Sequence, residues 1–138
     1  MITAGLTNSF KEQLLLGVHD FATDTFLIAL YTSSATLGPE TTVYSSSNEV
    51  SGAGYVAGGQ ELQNITVSLG MGVGYVSFDD PSWPGSTFTT RGALIYNSSK
   101  SNKSVGVFNF GVDQTMNGQQ FIIQIPTDDP ETALIRIS

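Results

Sequence analysis

The sequence predicts a mainly β fold: an antiparallel β-sandwich, jelly-roll-like, with one short N-terminal helix, built as a single domain over residues 1–138. Three observations carry that expectation. Short apolar runs recur at roughly 8–12-residue spacing with turn chemistry between them. Apolar residues fall at helical spacing in one place, near the N-terminus. The runs suffice for about eight strands, which suits the two sheets of a jelly roll. There is no clean internal repeat.

The helix is expected over about 9–17. Ser9-Phe10-Lys11-Glu12 matches a capping box, in which hydroxyl and carboxylate satisfy opposite backbone donors. Phe10, Leu14 and Val18 follow on one face, and Gly17 is the expected C-terminal breaker. A helix this short is marginal alone and needs a surface to pack on.

Beyond Phe21 the pattern becomes β. Thr25 to Thr32 is apolar on both faces, as in a central, covered strand. The regions around Tyr44 and Tyr55 are weaker strand candidates, interrupted by Gly52, Gly54, Gly58 and Gly59. Leu62 to Leu69, Val73 to Phe78, Gly92 to Tyr96, Val105 to Phe110, Phe121 to Ile125 and Ala133 to Ile137 complete the set. Pro81 and Pro84-Gly85 read as breaks, Asn97 to Ser104 as a polar connection, and Asn117-Gly118 as a tight turn.

Composition excludes several functions. The net charge is −7 with five Lys and Arg, and Lys100 and Lys103 are the only cationic pair close in sequence. Nucleic-acid binding needs several cations on one face, so no nucleic-acid partner is expected, and the same deficit argues against an anionic membrane surface. No apolar run approaches the ~20 residues of a membrane span, and the first residues do not read as a signal peptide. The chain has no cysteine, which removes disulfides and thiolate zinc sites. Charged residues make up 12%, about half the usual share, while Ser and Thr fill roughly a fifth of the chain. So low a charge density removes a common defence against edge-to-edge sheet pairing and suits a chain that makes protein contacts.

The residues that bear chemistry read as structural. His19 is the only histidine, and with Asp20 and Asp24 it suggests an oriented base, but no nucleophile elbow accompanies it. The commoner role is a partly exposed cation facing the helix C-terminal dipole. Asp79-Asp80 and Asp128-Asp129 lack calcium-loop spacing and read as strand-end and turn caps. Gly70, Gly72 and Gly74 lack the lysine and following helix of a phosphate loop. Three glycosylation sequons, at Asn64, Asn97 and Asn102, are expected by chance in so hydroxyl-rich a chain. Trp83, in P-S-W-P-G, either anchors an interface or caps a core. No catalytic residue, cofactor or metal ligand is expected.

The segments D-T-F-L-I-A-L-Y-T-S-S-A-T-L-G, N-E-V-S-G-A-G-Y-V-A-G-G, R-G-A-L-I-Y-N-S-S-K and V-F-N-F-G resemble small structural proteins of tailed bacteriophages, and the likeness runs from F-K-E-Q-L-L-L-G to the final I-R-I-S. The resemblance implies a capsid cement or decoration protein, made in the bacterial host cytoplasm and bound as a β-sandwich to the outside of the virion shell. The partner it implies is the major capsid protein. A homo-dimer or homo-trimer is expected, because closed symmetric oligomers match shell symmetry axes. The expected contact residues are Leu6, Phe10 and Leu14 near the N-terminus, Tyr44 and Tyr55 in the hydroxyl-rich segment Thr41 to Gly59, and Trp83. The alternative is a carbohydrate-binding sandwich of a tail or head–tail structure that stacks sugars on Trp83, Tyr55 and Tyr96. A small hydrolase built on His19 ranks last.

Overall fold

A computed structural model describes residues 1–126 and 133–137. Strand β1 (Gly5–Leu6) leads into helix α1 (Asn8–Leu15), followed by β2 (Phe26–Tyr31), β3 (Gln60–Glu61), β4 (Thr66–Gly70), β5 (Val73–Ser77), β6 (Ser82–Asn97), a 3-10 turn (Ser98–Lys100), β7 (Lys103–Ile122) and β8 (Ile135–Ile137). The fold is mainly β, as the sequence predicts. One sheet has the order β1-β7-β6-β2-β3 and the other β4-β5-β8, and every strand pairing in them is antiparallel.

The larger sheet is covered on both faces, which explains why β2 carries no polar face. Phe26, Ile28 and Leu30 join one core with Phe10 of α1, Trp83, Phe88 and Ile95 of β6, and Val76 and Ile135 of the smaller sheet. Ala29 and Tyr31 point the other way, into a second core with Ile2, Leu37, Leu94, Tyr96 and Val107. Ile95 pairs with Gly106 while Tyr96 pairs with Ser104, so Val105 is an extra residue on β7. That bulge reverses the alternation and sends Val105 to the first core and Val107 to the second.

Several expectations are corrected. The helix cap is Thr7, whose side chain accepts from the Phe10 amide, and the helix covers 8–15. The Thr7 hydroxyl is fully buried 2.9 Å from Ser104 Oγ, while that of Ser9 is only partly buried and lies 3.5 Å from the same atom. Gly17, at φ 74°, ends the helix as expected: Gly17 N donates to Leu14 O and Val18 N to Gln13 O, a Schellman motif. Asn117-Gly118 is not a turn. It lies inside β7, where Thr87 faces Asn117 and Ser86 faces Gln119, and Gly118 is the extra residue at φ 70°. Pro84-Gly85 is likewise a bulge inside β6 rather than a break, so the expected strand 105–110 and the first two residues of the expected strand 121–125 fall in one strand, paired with a partner that begins at Ser82. The β4–β5 turn is Met71-Gly72, with φ of 51° and 76°, the mirror-image turn that matches strand twist.

Segment 41–59 forms neither of the expected weak strands. It is a strap over the β2 edge and the second core. Glu49 bridges to Tyr31, Val50 N donates to Leu30 O, and Thr87 N donates to Ala53 O. Its glycines allow close backbone approach: a Cβ on Gly59 would stand 1.9 Å from Ile28 O, and one on Gly52 2.2 Å from Thr87 O.

Candidate protein-contact surface

The residues nominated as contacts are mostly spent on the fold. Phe10 is fully buried and Trp83 is 4% exposed, both in the first core. Leu6 and Leu14 are half-buried and pack against that core. Tyr44 stacks on Tyr96 with ring centroids 4.6 Å apart, and Tyr55 packs edge-on to Phe88. The rings nominated as sugar platforms are therefore occupied: Trp83 and Tyr96 lie buried, and the Tyr55 hydroxyl is held inside the strap.

That strap is organised by Glu49. Tyr44 Oη donates to Glu49 Oε1 at 2.6 Å, while Tyr55 Oη and Gly58 N donate to Oε2. Tyr55 Oη in turn accepts from Leu30 N at 3.0 Å, and Tyr96 Oη donates to Gly58 O at 2.6 Å. Burial, reinforced by the Glu49 carboxylate, pushes the Tyr44 and Tyr55 hydroxyls well above their ordinary range, so they remain donors. The hydroxyl-rich segment has a core role that the sequence does not reveal.

His19 is buried rather than a partly exposed cation. Its ring lies 5.0 Å from Phe10 and 6.3 Å from Phe26, centroid to centroid. Asn97 Oδ1 accepts from Ser99 N, so Asn97 Nδ2 donates to His19 Nδ1 at 3.0 Å and to Asp24 Oδ2 at 2.9 Å. The ring proton then sits on Nε2 and is donated to Gln13 Oε1 at 2.9 Å. Desolvation lowers the His19 pKa against the opposing pull of Asp24, with Lys103 and Lys100 helping to lower it. Burial works against ionised Asp24, but hydrogen bonds from Lys100, Asn97 and the Asp20 amide outweigh it and leave its pKa at about 2. Both ring nitrogens of His19 are thus engaged by structural partners, as a tie between the helix end and the β6–β7 connection. Asp79 and Asp80 accept from Asn64 Nδ2 and Ile125 N, so instead of capping a local turn they tie segments distant in sequence. Asp128 and Asp129 lie outside the described residues.

The surface the sequence reading missed lies on the smaller sheet and the end of α1. Val67 faces Val76, Leu69 faces Gly74, and Gly74 faces Ile137, so Val67, Leu69 and Ile137 share the face that buries Val76 and Ile135. The sheet overhangs the core: Val76 and Ile135 are covered, whereas Leu69 is 80% exposed and Val67 and Ile137 are also exposed. A groove of about 490 Å³ runs between this face and Leu14, Gly17 and Phe21. Leu15 and Leu16, which follow Leu14 in the chain, are 87% and 71% exposed, and Met71 stands exposed at the β4–β5 turn. Three consecutive leucines on a short helix carry the signal, because steps of 100° cannot bring all three to one buried face. The other signal is the stretch Leu62 to Phe78, which contains no charged residue.

No family model, curated protein or solved structure matches the chain.

Proposed function

We propose that the protein is a virion structural protein of the cement or decoration type, which binds the outside of a tailed-phage shell and stabilises it. The observation that carries this reading is the exposed apolar face of Val67, Leu69 and Ile137 on the smaller sheet, with Leu15 and Leu16 exposed at the end of α1, on a scaffold whose loops are tied down by buried polar networks. Exposed apolar patches on a small protein mark sites of interaction with proteins or ligands. The sequence resemblance points to the same class. An acidic chain of net charge −7 complements basic patches on a shell.

Such a protein works by binding energy alone. It binds the assembled shell and not the free subunit, so it shifts the equilibrium toward assembly by mass action. Repeated copies at fixed spacing add avidity to weak individual contacts. A pre-ordered scaffold limits the entropy lost in each contact.

The test is co-sedimentation with empty tailed-phage shells assembled from the major capsid protein, the partner the resemblance implies. The wild-type protein pellets with the shells, and Leu16→Lys, exposed and remote from the core, reduces the pelleted fraction at least tenfold. A wild-type protein that stays in the supernatant, or a Leu16→Lys variant that pellets as well as wild type, contradicts the assignment.

A further inference from the structure

We propose that β4 is a self-association edge, through which two copies of the chain join their smaller sheets into one continuous six-stranded sheet. Strand β4 is the outer strand of the order β4-β5-β8, and among the described residues no strand pairs with its far side. Its sequence, T-V-S-L-G, has none of the devices that protect an edge: no charge, no proline and no bulge.

A second copy is the occupant that charge and register favour. In a chain of net charge −7, the uncharged stretch Leu62 to Phe78 is a place where two copies approach without opposing like charges. Antiparallel pairing of β4 with itself is two-fold symmetric and therefore closes at a dimer. Keeping each side chain on its own face requires registers in which like-facing residues oppose one another. Centring the axis on Ser68 uses the whole strand. Ser68 then faces Ser68 of the partner subunit, each Val67 faces a Leu69, and each Thr66 faces a Gly70. The apolar pairs fall on the groove side, so dimerisation places the two exposed faces side by side. The inference stands on the β4 edge and holds whatever the larger partner is.

Sedimentation equilibrium of the purified chain, without shells, tests it. The expected result is a concentration-dependent rise from the 14.6 kDa monomer mass to twice that value. Ser68→Lys, which sets two like charges against each other at the axis while leaving Val67 and Leu69 in place, returns the mass to that of the monomer with an unchanged circular dichroism spectrum. Because the chain has no cysteine, Ser68→Cys adds a unique thiol, and a short bis-maleimide then links two chains through position 68. A wild-type chain that stays monomeric to several hundred micromolar overturns the proposal. So does an oligomer that Ser68→Lys leaves intact, or one in which Ser68→Cys does not cross-link.

Discussion

Glu49 and His19 show how far single residues here serve structure, and both give measurable consequences. Glu49 accepts from two tyrosines and a backbone amide. Glu49→Ala leaves those donors without a partner in a half-buried strap, at a cost of about 2–4 kcal/mol in urea unfolding. His19 titrates with a sign fixed by its environment. Its folded pKa lies below the ordinary 6.5, so as pH falls through 6.5 the unfolded chain takes up a proton that the folded protein refuses. Stability therefore declines as pH drops from 7.5 toward 5.5, and His19→Gln flattens that slope in thermal melts. Asp24 acts lower on the scale. Its folded pKa of about 2 lies below the ordinary 3.8, so its contribution is complete above 3.8 and is lost as pH falls toward 2. Asp24→Asn removes that acid-limb loss.

At the level of elements, glycine separates close approach from turn chemistry. Gly59→Ala drives a Cβ into the Ile28 carbonyl at φ 84° and detaches the strap, costing about 3 kcal/mol or more in chemical denaturation. Gly72→Ala, at φ 76° with open space around it, costs only the left-handed penalty of about 1–2 kcal/mol. Elements were legible in the sequence where one physical signal dominates. The run Phe26–Tyr31 is apolar on both faces because both faces are covered. Gly17 ends the helix because a Schellman motif needs a left-handed residue there. Where two structures share one local signature, the sequence was silent. Asn-Gly suits a tight turn and equally a bulge, and only the long-range pairing of β6 with β7 decides for the bulge at Gly118. Thr7 and Ser9 both suit a helix cap, and the cap falls at Thr7, whose backbone is tied to distant β7 through Thr7 N to Val105 O. The exposed apolar face was the least legible part. Alternation along β4 and β5 marks a face as apolar but does not say that the sheet overhangs its core and leaves Val67 and Leu69 uncovered.

Over the whole molecule, two sheets share one core, the strap closes a second, and Val67 and Ile137 stay exposed beside the groove between the smaller sheet and α1. On the proposed function, stability and binding are separated in space: the polar networks around Glu49 and His19 fix the scaffold, and the uncharged sheet edge and its apolar face are left for partners. Substitutions in the networks are expected to lower the unfolding free energy without changing shell affinity in the folded state, whereas Leu16→Lys does the reverse. The most direct measurement is an image reconstruction of empty shells saturated with the purified protein. The account predicts density for this fold on the outer surface, with the Val67, Leu69 and Ile137 face turned to the shell. Shells that carry no added density, or density in which that face points to solvent, would contradict it.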